Sequence, residues 1–310
     1  MRVVSLGSGS SGNALLVEAG PAGRTKLLVD AGFTGRILRE RLRSAGVSLS
    51  QIQGVLITHE HVDHILGLPT LMKRSSIPVV ADPRTLAVLE QIITAGILRT
   101  ESGTLLYLED KPEIGPGGYP ENGHTDSLDS SAFIQLAAGS RFVIGDIEVV
   151  SFPVSHDAVA PCGYLLSAGG CRVCVAIDSG VVTPIMLEAM KQADLLILES
   201  NHDRERLLRG PYPYSLKQRI LSPTGHLSND QASEAVLRTW RTDAVRWLWL
   251  SHLSRTNNTP KLALHSMRTR ILEARANLAQ IHISVLSPGM GGVWDSTQLW
   301  KSPTLWEMQG

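Results

Sequence analysis

The sequence predicts an α/β (α+β) protein in which two β-sheets pack face to face and helices cover their outer surfaces. The order of the elements is the first observation, because strands, then a helix, then further strands occur twice along the 310 residues. The composition is the second: 43% hydrophobic and 19% charged residues fit a globular chain that buries a substantial core.

In the N-terminal half, apolar runs bounded by glycine or proline predict strands, and apolar residues at helical spacing predict helices. The predicted strands are Arg2–Leu6, Ala14–Glu18, Lys26–Val29, Gly54–Ile57 and Pro78–Ala81. The predicted helices are Arg36–Ala45 and Thr85–Ala95, with a helical turn at His64–Leu68.

The same signals return in the C-terminal half. The predicted strands are Phe142–Ile144, Ile147–Phe152, Gly163–Ser167, Arg172–Ile177, Leu195–Glu199, Arg246–Leu250 and Ile281–Leu286. The predicted helices are Pro184–Lys191, Ser228–Trp240 and Leu262–Ala276.

The stretch at about 101–140 differs from the rest of the chain. It is rich in glycine, proline, serine and aspartate, which predicts a long loop insertion. No linker divides the chain, so residues 1–310 are expected to form a single domain.

The formal net charge is zero, so no global basic field indicates nucleic-acid binding. The charge is nevertheless uneven: thirteen basic and six acidic residues lie between positions 201 and 275, against two basic and ten acidic between 101 and 160. The basic stretch fits either a surface for an anionic substrate or a solvated helical face.

Three cysteines are too few for a disulfide framework. Cys171 and Cys174 have the spacing of a redox or zinc pair, but their apolar surroundings predict a buried strand, and no second pair completes a zinc site.

The N-terminus has no signal-peptide pattern, and no apolar run is long enough to span a bilayer. We therefore expect a cytoplasmic protein with no membrane partner.

The strongest chemical signal is the run T-H-E-H-V-D-H, which directly follows a predicted strand. It places His59, His61, Asp63 and His64 within six residues of a chain that has ten histidines. Imidazole and carboxylate together suit zinc and tolerate manganese or iron. A loop after a strand lets these side chains point in two directions, which fits two divalent metal ions that share a water.

Further donors follow later predicted strands. His156, Asp178 and His252 each come just after such a strand. Any one of them alone is more typical of a hydrogen-bonded structural residue. Together with the first run they predict one binuclear site, in which an aspartate can bridge both metals.

The combination H-E-H-V-D-H, S-H-D, D-S-G and S-H-L-S resembles the metallo-β-lactamase superfamily. The resemblance implies an αββα sandwich of two mixed sheets, with a binuclear site at the sheet edge. It also implies two ligand triads and a bridge: His59, His61 and His156 on one metal, Asp63, His64 and His252 on the other, and Asp178 between them.

A closer resemblance is to the YycJ/WalJ group within that superfamily. It rests on S-G-S-S-G-N at 8–13, L-V-D-A-G-F at 28–33, L-E-S-N-H-D at 198–203, G-H-L-S-N at 225–229 and L-S-H-L-S-R-T-N-N at 250–258. It covers nearly the whole chain except 101–140. It implies a cytoplasmic, exonuclease-like phosphodiesterase that acts on DNA.

His226 is a histidine beyond the seven ligands, in the Gly-containing loop before the helix Ser228–Trp240. A similar histidine in nuclease relatives lies by the scissile phosphate, which implies that His226 donates to a phosphoryl oxygen or protonates the leaving oxygen. Glu199 ends a strand where those relatives carry an acid that orients this histidine. His202 is an alternative for either role, and His226 also fits an ordinary helix-capping loop.

Three residues are candidates for substrate binding. Arg255 lies three residues after a metal ligand and is the best candidate for contact with a phosphate. Asn13 and Ser11 lie in a Gly/Ser loop that permits close approach, and Asn13 can brace the metal loop. The expected partner is therefore nucleic acid, with DNA favoured.

The implied mechanism is phosphodiester hydrolysis. The two metals lower the pKa of a shared water, Asp63 acts as base or orients that water, and His226 protonates the departing oxygen. Two other functions fit the residues: hydrolysis of a small anionic ester or thioester, as in glyoxalase II, and a non-catalytic metal-bound binding module. The native metal, DNA against RNA, the direction of degradation and the oligomeric state stay open.

Overall fold

A computed structural model describes residues 1–74, 77–99, 105–107 and 132–300. Two seven-stranded sheets pack against each other, and helices lie on both outer surfaces. The predicted αββα sandwich of two mixed sheets is confirmed.

The first sheet combines an antiparallel and a parallel part. Its strands are β1 (Arg2–Gly7), β2 (Ala14–Ala19), β3 (Thr25–Val29), β4 (Gly54–Leu56), β5 (Val79–Ala81), β8 (Phe133–Gln135) and β16 (Val293–Asp295). Their order is β16-β1-β2-β3-β4-β5-β8. Pairing is antiparallel from β16 to β3 and parallel from β3 to β8.

The second sheet has the same two-part construction. Its strands are β9 (Arg141–Ile144), β10 (Ile147–Pro153), β11 (Cys162–Ala168), β12 (Cys171–Ala176), β13 (Leu195–Glu199), β14 (Arg246–Ser251) and β15 (Ile281–Val285). Pairing is antiparallel from β9 to β12 and parallel from β12 to β15. Separately, β6 (Ile97–Arg99) pairs antiparallel with β7 (Leu105–Tyr107).

Helices cover both sheets. On the first lie α1 (Gly35–Ser44), α2 (Val62–Ile65), α3 (Leu68–Arg74) and α4 (Pro83–Ala95). Later in the chain come α5 (Pro184–Lys191), α6 (Arg204–Arg209), α7 (Tyr214–Leu221), α8 (Asn229–Arg238) and α9 (Pro260–Glu273). Ser228 caps α8 and forms a capping box with Gln231, which is why this helix begins where the sequence predicts.

The core has three layers of apolar side chains, one between the sheets and one under each set of helices. Trp294 and Tyr164 are the largest fully buried side chains, and both lie between the sheets. The Tyr164 hydroxyl donates to the Ile57 carbonyl at 2.6 Å, so the ring is buried with its polar end satisfied. Burying each such side chain contributes about 1.5–3 kcal/mol.

Some elements differ from the sequence-based expectation. Helices α3, α6 and α7 and strands β6 and β16 were not predicted. Each has eight residues or fewer, and α7 follows the prolines Pro211 and Pro213. The predicted loop insertion at about 101–140 lies largely outside the described residues. Within its described parts, β7 and β8 are strands, and β8 extends the first sheet beside β5.

The cysteines are unpaired and buried, with Cys171 and Cys174 in β12 as the apolar pattern predicts. Burial raises the pKa of the Cys174 thiol to about 12, which makes it a poor metal ligand and nucleophile.

Across the described ranges, no helix combines the length and apolar character needed to cross a bilayer.

Candidate metal centre

The candidate ligands converge at one end of the sandwich, where the parallel strands of both sheets finish. Strand β4 leads into the run from His59 to His64, β10 leads to His156, β12 to Asp178 and β14 to His252. Strands that run in the same direction end at the same sheet edge, so side chains distant in sequence meet there. β10 runs in the same direction as β12, because both pair antiparallel with β11.

One cluster consists of His59, His61 and His156, with one ring nitrogen of each within 4.8 Å of the others. His156 Nε2 lies 3.2 Å from His61 Nδ1. His156 Nδ1–H donates to the Gly225 carbonyl at 3.1 Å, which turns Nε2 toward the cluster. His59 Nε2 is buried and has no hydrogen-bond partner among the described residues.

A second cluster consists of Asp63, His64 and His252, again with donor atoms within 4.8 Å of one another. Asp63 Oδ2 lies 3.6 Å from His64 Nε2 and 3.4 Å from His252 Nε2. Asn13 Nδ2 donates to Asp63 Oδ2 at 3.3 Å. Asn13 therefore contacts the metal loop directly.

Asp178 lies between the two clusters. Its Oδ2 is 2.7 Å from His64 Nε2 and 3.7 Å from His59 Nε2. Its Oδ1 is 2.5 Å from His252 Nδ1. The residue is 2% exposed and has a φ of 58°, a left-handed conformation that is uncommon outside glycine. Its two oxygens face both clusters.

Asp30 is a further site residue, one that the motif spacing does not single out. Its Oδ2 accepts a hydrogen bond from His64 Nδ1 at 2.7 Å. The Thr58 backbone N–H and hydroxyl donate to its Oδ1 at 2.9 and 3.0 Å. Asp30 thus fixes the His64 ring with Nε2 toward Asp178. Its position directly after β3, the neighbour of β4, is the signal that could have identified it.

Carboxylates and histidines in the two clusters lie close enough to shift each other's pKa values. Burial alone would raise the pKa of Asp178, but His252 and His64 outweigh it and hold that pKa well below its usual range. Burial alone would lower the pKa of His64, but Asp30 and the neighbouring carboxylates raise it well above 6.5. His59 differs, because burial and then its histidine neighbours lower its pKa well below 6.5. Its imidazole is therefore neutral, the form that binds metals.

His226 and Glu199 are in contact beside the clusters. His226 Nδ1–H donates to Glu199 Oε1 at 2.7 Å. Glu199 is fully buried, and its Oε2 accepts from the backbone N–H groups of Ser179 and Leu227 at 2.9 and 3.1 Å. Burial alone would lower the pKa of His226, but Glu199 and Asp178 outweigh it and raise the pKa to about 10.

The remaining candidates take different positions. Both ring nitrogens of His202 are buried without a hydrogen-bond partner among the described residues, and burial lowers its pKa to about 4. The place next to Glu199 is taken by His226. Arg255 Nη2 donates to Ser11 Oγ at 2.7 Å, and Ser11 lines the cavity beside the clusters.

The residues present fit divalent metal ions. A buried, unpartnered imidazole nitrogen on His59 and ionised carboxylates on Asp63 and Asp178 converge with further histidines, which is the donor chemistry of zinc and manganese sites. This end of the sandwich is built to bind divalent metal.

A cavity of about 430 Å³ opens beside these groups. Asp63, His226 and His252 form part of its lining. Its size lies in the range of about 300–1,000 Å³ that is typical of small-ligand sites.

The sequence model of the beta-lactamase superfamily domain matches residues 25–248. The chain is 36% identical over 270 residues to "Exodeoxyribonuclease YycJ" of Bacillus anthracis, covering 87% of this chain and 88% of the relative. It is 34% identical over 269 residues to "Exodeoxyribonuclease WalJ" of Streptococcus pneumoniae, covering 87% of each.

Among solved structures, the metallo-beta-lactamase fold protein YhfI of Bacillus subtilis superposes with a TM-score of 0.63 at 17% identity, covering 95% of this chain and 99% of that one. This likeness shows the fold. Together with the sequence matches, it places the chain in the metallo-β-lactamase superfamily, in its YycJ/WalJ group.

Proposed function

We propose that the protein is a metal-dependent phosphodiesterase, an exonuclease-like enzyme whose favoured substrate is DNA. The observation that carries the proposal is the contact between His226 and Glu199 at the cavity. Seven donors suffice for two ions, so a further histidine held by a buried carboxylate is available for proton transfer. The names of the two curated relatives, both exodeoxyribonucleases, support DNA as the substrate.

Two divalent metal ions are proposed for the clusters, zinc or manganese, with iron as a further candidate. The proposed ligands are His59, His61 and His156 for one ion, Asp63, His64 and His252 for the other, and Asp178 for both. When bound, such a pair of ions lowers the pKa of water toward ~7 and neutralises charge that develops on the phosphoryl oxygens.

Protein groups supply the proton transfers. Asp63 lines the cavity, and its carboxylate is proposed to orient the attacking water. Against the effect of burial, Glu199 and Asp178 raise the pKa of His226 to about 10, and His226 is proposed to protonate the departing oxygen in its imidazolium form. Glu199 is proposed to hold the ring and to stabilise its positive charge.

The proposed phosphate contacts lie at the cavity rim. Arg255 is held there by Ser11, in a position to contact a flanking phosphate. Ser11 lines the cavity, and Asn13 holds Asp63. Because such contacts are ionic, binding should be insensitive to sequence and should weaken as salt rises.

A substrate panel tests the proposal. Purified protein loaded with zinc or manganese is given single-stranded DNA, double-stranded DNA, RNA, a phosphodiester dye and a thioester. We expect cleavage of DNA and of the dye. Cleavage of the thioester alone would favour a small-ester hydrolase, and no turnover with metal bound would favour a binding module; either result overturns the proposal.

A further inference from the structure

One wall of the cavity comes from the segment between α6 and α8. Helix α7 presents Leu216, Arg219 and Ile220 to the cavity, and their i, i+3, i+4 spacing puts them on one helical face. Tyr212, just before the helix, lines the same cavity. His226 lines it too, so this wall and the proposed proton donor face one space.

The wall is fixed to the metal centre by several hydrogen bonds. Arg219 Nε donates to Asp157 Oδ2 at 2.5 Å, and Asp157 directly follows His156. Ser155 Oγ donates to the Pro223 carbonyl at 2.8 Å. Lys217 Nζ donates to the carbonyls of Leu208 and Gly210, each at 2.8 Å, and so links α7 to the end of α6. The distance between the wall and the clusters is therefore set by the fold.

The wall presents an aromatic side chain, Tyr212, and an aliphatic one, Leu216, to the cavity. Both side chains are only half-buried, and Tyr212 is the one aromatic ring other than the histidines among the described residues that line the cavity. A nucleobase offers a matching flat face, and stacking on an aromatic ring tolerates any base. The volume of about 430 Å³ accommodates a small ligand such as one nucleotide.

We infer that Tyr212, on the same cavity wall as Leu216, stacks on the nucleobase next to the scissile phosphate, so that the site takes the single-stranded end of a nucleic acid one nucleotide at a time. The inference rests on the proposed phosphodiesterase activity and adds its substrate class. A base stacked on Tyr212 has left its partner strand, so a duplex must fray before its end can enter.

The test compares two esters with the same leaving group. Thymidine carrying a p-nitrophenyl phosphate on its 5′ or 3′ oxygen has a base, and methyl p-nitrophenyl phosphate has none. Metal-loaded wild type, Tyr212→Ala, Tyr212→Phe and Tyr214→Ala are assayed on each. Tyr214 is the matched control, because it is 76% exposed and does not line the cavity.

We expect the wild type to prefer the nucleotide ester, through a lower KM. In Tyr212→Ala this preference should fall by about 5- to 100-fold. The change should appear mainly as a higher KM for the nucleotide ester, because stacking stabilises the bound substrate and the transition state equally. Tyr212→Phe and Tyr214→Ala should keep the preference.

Three results would overturn the inference: no preference in the wild type, full preference in Tyr212→Ala, or equal loss in Tyr212→Phe, which would assign the effect to the hydroxyl. A wild type that cleaves neither ester would instead refute the proposed function, so the two failures are distinguishable.

Discussion

Three histidines of the metal centre are oriented through their second ring nitrogen. Asp30 holds His64, the Gly225 carbonyl holds His156, and the Thr58 hydroxyl lies 3.0 Å from His59 Nδ1. Such partners fix the tautomer and the direction in which the other nitrogen points. The groups behind the proposed ligands therefore decide how well the clusters bind metal.

Replacing Asp30 by Asn tests this dependence. Asn tolerates the left-handed backbone of this position, where φ is 61°, so the fold should be kept. The charged acceptor for His64 Nδ1 is lost, and metal affinity should fall by about 10- to 100-fold. Isothermal titration with zinc or manganese measures the change, and an unchanged affinity would contradict the role given to Asp30.

Replacing His226 by Ala separates catalysis from metal binding. We expect kcat to fall by about 100-fold or more, because a positioned proton donor contributes about 10²–10⁴. Bound metal should stay as in the wild type. Mass spectrometry of the native protein measures metal content, and loss of metal in this variant would show that His226 is itself a ligand.

At the residue scale, donors in a tight run are predictable and supporting groups are not. His59, His61, Asp63 and His64 are adjacent in sequence, so the chemistry of the run is visible before folding. Asp30 acts only because β3 lies beside β4, and that pairing is a property of the folded sheet.

The loops that carry the clusters are joined backbone to backbone. Asn13 N–H donates to the Asp63 carbonyl at 2.8 Å, and Gly32 N–H donates to the Asn13 carbonyl at 2.9 Å. Ala31 N–H donates to the His64 carbonyl at 2.7 Å. The loops after β1, β3 and β4 therefore form one unit.

Gly32→Ala should break that unit. A Cβ at Gly32 would lie 1.7 Å from the Asp63 carbonyl oxygen, and the obstacle is backbone that cannot rotate away. We expect the free energy of unfolding to fall by at least the ~1–3 kcal/mol typical of overpacking. Metal binding should weaken as well. Thermal unfolding measures the first effect.

Gly289→Ala is the matched control, because only Ser287 Oγ, at 3.7 Å, lies near its added Cβ. Equal stability of the two variants would contradict the close packing of these loops.

At the scale of elements, strong caps and long periodic runs are predictable. Helix α8 begins after Ser228 as its capping box requires. Helix α7 has eight residues and no side-chain cap, so packing against the site, and not a local signal, stabilises it. Sequence patterns therefore could not predict the cavity wall that contains Tyr212.

In the whole molecule, each sheet contributes to both clusters. The first sheet supplies the run from His59 to His64, and the second supplies His156, Asp178 and His252. Binding of an ion at both clusters therefore clamps one sheet to the other, and metal binding should be coupled to global stability.

The pH dependence of unfolding tests this coupling. In metal-stripped protein the pKa of His226 is raised to about 10, so its contribution to stability is full below its unfolded pKa of ~6.5 and disappears as pH rises through about 10. We expect the Tm of stripped protein to fall between pH 7 and pH 9.5.

Metal-loaded protein should keep its Tm over that range, because protons compete less for the ligands as pH rises. Scanning fluorimetry with a chelator, or with zinc or manganese, measures both curves. A stripped protein whose Tm is constant with pH would contradict the raised pKa values of His226 and His64, and the Tm of His226→Gln should fall less steeply with pH than that of the wild type.

The most direct test of the binuclear phosphodiesterase is a titration of stripped protein with metal while the hydrolysis of single-stranded DNA is followed. The two proposed ligand triads, with Asp178 as their proposed bridge, predict that activity stays low through the first equivalent and rises to its maximum at the second. Full activity at one equivalent, or none on DNA at two, would contradict the account.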